Sequence, residues 1–269
     1  MLCINTRGLW ADTHRGAQQS AQGERDRAAN PMTDHCHTRA PAARDCEACP
    51  HHHVDVLGAT PEPDRERLRA FFRLRGYGRG ETIYGEGDRG AHVALIREGL
   101  VKLVLYSPSG TERIVRLAMP GDTIGLELML GGRFHHTAVA LTDVELCQMP
   151  LELVDDRFAH APGFAKRVLA EWHASVDDAE RFLTELSTGS AHARVARLLV
   201  YLHERGRSAS CPAIGREDMG ALLGITTETA SRVVAELKRE GRLRETAQGR
   251  FEYDAETMRT LTGGASPAS

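Results

Sequence analysis

Three cysteines and four histidines fall within the eighteen residues from Cys36 to His53, CHTRAPAARDCEACPHHH. Thiols and imidazoles crowded in this way can form disulfides in an oxidising compartment or hold a metal. Six cysteines in 269 residues are sparse for a disulfide framework. The N-terminus carries no sustained apolar segment, so the chain is expected to work in the reducing cytoplasm, where disulfides are a poor default. Cys46 and Cys49 form a Cys-x-x-Cys pair followed at once by His51, His52 and His53, a spacing that suits zinc. For any one of these histidines, a place in a solvated, pH-responsive patch is the better reading. Cys3 and Cys211 stand alone, as cysteines that serve as small core hydrophobes or inert surface thiols do, and are given no role.

A second group of chemically capable residues lies near the other end. Within REDMGALLGITTETASRVVAELKREGRL, one helix is expected from Glu217 to Leu223, closed by Gly224. A second, capped by Thr226 or Thr227, is expected to run to Gly241. This is the pattern of a helix-turn-helix. Ala230, Val233, Val234 and Leu237 face inward. Glu228, Ser231 and Arg232, at i, i+3 and i+4, share the opposite face near the N-terminal end, with Thr227 beside them. Arginine can donate two bonds to guanine, glutamate can accept from cytosine, and serine can lie against thymine. The plainer alternative is a surface ion pair between Glu228 and Arg232. GRLRETAQGRFEYD then reads as a two-stranded wing turning near Gln248 and Gly249, with Arg242, Arg244 and Arg250 in reach of phosphates.

These groups need a scaffold. The net charge of −3 implies neither general attraction to nucleic acid nor repulsion from it, so a DNA contact must be local. No run of about 18 apolar residues suggests a membrane span. Residues 1–60 lack apolar periodicity and are expected to be disordered unless tied down; Met32 is a candidate start of translation. A short helix with Leu68, Phe71 and Phe72 on one side follows Pro61 and Pro63. From Gly76 to Pro150, short β-type runs alternate with turn signals about every ten residues, as in an antiparallel barrel or sandwich with one face inward and one outward. A long helix then spans about Pro162 to Leu186, with Phe164, Val168, Trp172, Val176, Ala179, Leu183 and Leu186 as an apolar stripe suited to a dimer interface or to packing on the barrel. Asp177, Asp178 and Glu180 flank it and are expected to face their mates across a two-fold axis. No Gly-rich phosphate loop, nucleophile elbow or HExxH occurs, so nothing suggests an enzyme.

In that order, a β-roll, a long helix and a winged helix-turn-helix, the chain resembles the Crp/Fnr superfamily of bacterial transcription regulators over residues 64–255. The resemblance implies an α+β fold: an N-terminal tail over 1–60, an antiparallel, jelly-roll-like sensor domain over 61–160, a dimerisation helix over 161–188, a winged helix-turn-helix over 189–260 and a C-terminal tail over 261–269. Glu228, Ser231 and Arg232 are similar to the recognition residues of the Fnr branch. They imply a homodimer on a palindromic operator with TTGAT-like half-sites, with RNA polymerase as a further partner. In the cyclic-AMP branch a Gly-Glu pair and an adjacent Arg-Ser pair hold the nucleotide phosphate; here His136 and Thr137 stand where Arg-Ser would fall, and Leu126 follows Gly125, so cyclic-nucleotide binding is not expected. Arg133 is the nearby arginine that could substitute. ALTDVELCQMP resembles the stretch carrying the fourth ligand of the Fnr oxygen-sensing cluster. The resemblance thus implies a [4Fe-4S] cluster on Cys36, Cys46, Cys49 and Cys147, although the close cysteine pair comes second here rather than first. Haem on His135, His136 or Cys147 and zinc on the tail are the alternative cofactors.

Overall fold

A computed structural model describes residues 70–206 and 210–262, together with Leu68 and the backbone of Thr38 and Arg39. Cys36, Cys46, Cys49, the histidine run and most of the expected first helix lie outside the described residues. Of that helix, Phe72 is fully buried, but Phe71 is 55% exposed and turns away from it.

Among the described residues, twelve strands and seven helices follow in order: β1 (Thr38–Arg39), β2 (Arg73–Tyr77), β3 (Thr82–Tyr84), β4 (His92–Glu98), β5 (Val101–Tyr106), β6 (Glu112–Ala118), β7 (Thr123–Ile124), α1 (Leu128–Gly131), β8 (Thr137–Ala140), β9 (Val144–Pro150), α2 (Leu151–His160), α3 (Pro162–Arg181), α4 (Ala191–Gly206), β10 (Ser210–Pro212), α5 (Arg216–Leu223), α6 (Thr227–Arg239), β11 (Leu243–Glu245), β12 (Arg250–Tyr253) and α7 (Ala255–Leu261). A π-helical turn, Phe182–Leu186, extends α3. None of these helices is long and apolar enough to cross a membrane.

The first nine strands make two facing antiparallel sheets, ordered β1-β2-β9-β4-β7 and β3-β8-β5-β6. Strand alternation sends Ile96, Val101, Leu103, Ala138, Val144 and Leu146 into the space between the sheets. Much of the other faces, read from the alternation as outward, is buried as well. Val93, Leu95, Cys147 and Met149 leave the first sheet to meet Val154 of α2 and Phe164 and Val168 of α3. Leu100, Val104, Ile114, Leu117 and Met119 leave the second to join the C-terminal core around Leu198, Tyr201, Met219 and Leu237. Burial on both faces explains why HVALI in β4 is almost continuously apolar rather than alternating.

Proline at the first position of α3 starts the helix with a preset φ. The helix has two faces. Phe164, Val168, Phe182 and Leu186 are buried against their own chain, whereas Leu169, Val176 and Leu183 are exposed and Trp172 is half-buried. The expected stripe therefore mixed the two. Successive steps of four advance a helix by about 40° each, so a run from Phe164 to Val176 drifts roughly 120°. Leu169, Trp172, Val176, Ala179 and Leu183, stepping 3, 4, 3 and 4, form the outward seam. Ser187–Ser190 breaks the helix, and the Ser190 hydroxyl accepts from the Ala193 amide at 3.2 Å to cap α4. Arg197 donates to the Glu185 and Thr188 carbonyls at 2.6 and 2.8 Å, satisfying the end that the break exposes.

Candidate nucleic-acid interface and sensing site

Helix α6 begins as its sequence dictates. Thr226 is extended, and its hydroxyl accepts from the Thr229 amide at 3.1 Å. Ala230, Val233, Val234 and Leu237 are buried beneath it, leaving Thr227, Glu228, Ser231 and Arg232 exposed on the far side. Two glycines allow α5 and α6 to approach. Gly224 takes φ +65°, and a Cβ on Gly220 would lie 2.8 Å from the Ile225 carbonyl oxygen. Gly220 is a packing requirement that pattern reading passed over. Arg232 donates to Glu228 at 2.8 Å, with the two side chains 63% and 82% exposed. A pair so exposed is worth only about 0.3–0.5 kcal/mol, so both residues can turn to base edges at little expense.

The wing carries a feature not foreseen from the sequence: its cations have acidic partners. Arg242 meets Glu240 at 3.1 Å, and Arg244 pairs with Glu252 across the hairpin. Glu245 takes both Arg216 at 3.1 Å and Lys238 at 3.2 Å, and these cations hold its carboxyl below the usual glutamate range against the opposing effect of burial. Arg250 was expected to reach phosphate. Instead its guanidinium donates to the Ser210 carbonyl at 2.7 Å and hydroxyl at 3.0 Å, holding β10 on the wing.

In the sensor sheets, Cys147 stands between Leu74 of β2 and Leu95 of β4 and is buried among Phe72, Val154, Phe164 and Val168. Arg39 of β1 lies opposite Leu74 in turn. Two strand spacings therefore separate the Arg39 and Cys147 backbones, about 10 Å. Strand β1 thus lies in the same sheet as Cys147, two strands away. The described residues contain no group of three or more His, Cys, Asp or Glu arranged for a metal; the other three candidate thiols lie outside them.

At the positions compared with the phosphate clamp, a carboxylate and two histidines meet. Leu126 is buried, and the Glu127 carboxylate approaches His136 at 4.0 Å and accepts weakly from the His135 amide at 3.4 Å. Burial alone would raise the Glu127 pKa, but these donors outweigh it and hold the group ionised below its usual range. Tyr84 and Phe134 stack at 3.6 Å, 7° from parallel, filling the adjoining space. Arg133, the nearby substitute, donates to the Gly87 carbonyl at 2.6 Å.

Of the acids expected to oppose their mates, Asp178 turns inward. Its side chain is 13% exposed and lies 3.5 Å from Arg205 of α4. Asp177, by contrast, lies on the surface 3.6 Å from His173.

Comparison with known proteins agrees with this architecture. Residues 74–160 match the model of the cyclic nucleotide-binding domain, and residues 193–255 match that of the Crp-like helix-turn-helix domain. The chain is 26% identical to the transcriptional activator protein FnrA of Stutzerimonas stutzeri, over 71% of its own length and 80% of the relative's. It is 28% identical to the transcriptional regulatory protein btr of Bordetella pertussis, over 76% and 88%. The structure of FixK2 from Bradyrhizobium japonicum superposes with a TM-score of 0.65 at 24% identity, covering 72% of this chain and 98% of that one. A transcriptional regulator of the CRP family from Thermus thermophilus gives a TM-score of 0.60 at 26% identity, covering 71% and 97%. The relatives are transcription regulators and not enzymes. With its paired-sheet sensor domain, long helix and exposed recognition helix, the chain belongs to the Crp/Fnr family of DNA-binding transcription regulators.

Proposed function

We propose that this regulator responds to oxygen or redox state through a [4Fe-4S] cluster held by Cys36, Cys46, Cys49 and Cys147. We further propose that it binds TTGAT-like palindromes as a homodimer in the cytoplasm, where RNA polymerase is its further partner. The observation that carries the sensing half is the position of Cys147, buried beneath the first turns of α3 and two strands from β1 in the same sheet. Four thiols are the donor set such a cluster takes, and an apolar layer limits water around it, so the residues present fit the group. Relatives named FnrA, Anr and HlyX support the same reading. When bound, the cluster supplies reactivity toward oxygen.

The chain's own residues then account for transmission. Phe164 and Val168 pack in the same layer as Cys147, so a shift in β9 reaches the start of α3 directly. The outward seam of Leu169, Trp172, Val176, Ala179 and Leu183 pairs with its mate. Two-fold pairing carries two copies of α6 to adjacent major grooves, where Arg232, Glu228, Ser231 and Thr227 face bases and Arg242 and Arg244 face phosphates. Full operator affinity needs both half-sites, so a modest change in dimer pairing becomes a large change in occupancy. The test is metal analysis of anaerobically purified protein. Iron and sulfide in equal amounts, lost together on replacing Cys147 with Ala, support the reading. Colourless protein with one zinc per chain, or iron present as haem, refutes it.

A further inference from the structure

The sensor roll, the long helix and the DNA-binding domain meet at one charged junction. Asp122, in the turn before β7, accepts from Arg205 of α4 at 2.7 Å on each carboxylate oxygen and is anchored by the Met119 amide at 2.8 Å. Arg205 also lies 3.5 Å from Asp178 of α3. On the same side, Arg116 of β6 lies 3.9 Å from Asp122, and Glu171 of α3 lies against Thr123. Three acids, Asp122, Asp178 and Glu171, thus lie among three cations, Arg116, Arg167 and Arg205.

We propose that Arg205 is a positioning residue: by gripping the roll turn and α3 together it fixes the angle of the DNA-binding domain, and so sets the half-site spacing the dimer accepts. The apolar surface joining the domains holds them together but specifies no angle, because apolar burial is non-directional; the angle is left to polar ties, of which Arg205 is one and the pair of Lys102 in β5 with Asp218 in α5, at 2.7 Å, is another. All of these Arg205 contacts are made by one guanidinium nitrogen, Nη2, and such charge-assisted hydrogen bonds are directional. Helix α4 has 16 residues and is about 24 Å long. A rotation of roughly 10° about the Ser187–Ser190 break would swing its far end by about 4 Å, comparable with the base-pair rise of about 3.4 Å. Removing Arg205 takes away the cation that Asp122 and Asp178 share, and the loss of that tie loosens the angle while the apolar contact persists.

This inference rests on the dimer-on-palindrome reading. The test uses full-length protein prepared anaerobically and a set of TTGAT palindromes whose central spacer varies in single base pairs, with a one-half-site duplex as control. Wild type should bind one spacing best and lose about tenfold or more for each base pair added or removed. Arg205→Gln should bind the single half-site as wild type does, yet fall within about threefold across the spacers. Asp122→Asn, which weakens the same contact from the roll side, should flatten the profile likewise, and Arg205→Lys should restore part of it. An unchanged spacing profile in Arg205→Gln would overturn the inference alone, as would an equal loss on every duplex, half-site included. A wild type indifferent to spacing would overturn the dimer reading as well.

Discussion

The two faces of α3 make a prediction that sequence spacing alone would get wrong. Leu183 and Leu186 are a single turn apart, yet Leu183 is 71% exposed and Leu186 1%. Fully burying a leucine side chain is worth about 1.5–3 kcal/mol. Covering the exposed part of Leu183 in a dimer should therefore contribute about 1–2 kcal/mol per copy, and about 2–4 kcal/mol for the symmetric pair. Leu183→Ala should accordingly weaken dimerisation by roughly 30- to 800-fold and leave each protomer's fold nearly unchanged. Leu186→Ala opens a cavity in a core that also holds Phe182 and Tyr201 and should cost about 2–5 kcal/mol of protomer stability. Sedimentation equilibrium over a wide concentration range gives the first quantity. Denaturant unfolding well above the dissociation constant gives the second. If Leu183→Ala left the dimer intact, or Leu186→Ala loosened it equally with no loss of folding stability, the assignment of faces would be refuted.

Other outcomes follow from individual contacts. Arg232→Ala should lower operator affinity by about 1–3 kcal/mol at each half-site and relax discrimination at the guanine it reads. A uniform loss on all duplexes would make it a phosphate contact. Gly220→Ala pushes a methyl to 2.8 Å from the Ile225 carbonyl oxygen and should destabilise the C-terminal domain by about 1–3 kcal/mol, seen as earlier melting of that domain. Burial raises the Glu171 carboxyl above its usual 4.5, only partly offset by Thr123, and the Asp122 charge raises it further. The native state therefore binds this proton more tightly than the unfolded chain, and stability falls as pH rises from about the unfolded pKa through the folded one. Glu171→Gln should be more stable than wild type at pH 7 and indistinguishable from it near pH 4; a variant less stable at pH 7 would show that the carboxylate is needed ionised.

Some of this was legible in the residues and some was not. The helix-turn-helix could be read in detail, because Thr226, Gly224 and the inward apolar set of α6 act through local geometry that propensity and spacing encode. The β-rich sensor domain was legible as a class from its turn signals. The covering of both sheet faces was not, since VKLVLY looks the same whether its second face meets water or another domain. The stripe on α3 failed because apolar residues on two faces of one helix can be threaded into a single sequence pattern; the outward seam needed the burial of Phe164 and Leu186 to be separated from it. Arg250 looked like a phosphate contact because its partner, Ser210, lies 40 positions away. The inward turn of Asp178 had the same cause: Arg205 belongs to another helix.

The central claim couples chemistry at Cys147 and the tail cysteines to the reach of two recognition helices. The most direct measurement titrates one anaerobic preparation onto a TTGAT palindrome, before and after exposure to air, at fixed salt, alongside Cys147→Ala. Tight binding without oxygen, a large loss after exposure, and weak binding unaffected by air in the variant are predicted. Equal affinity in air and under argon, with Cys147→Ala indistinguishable from wild type, would contradict the account.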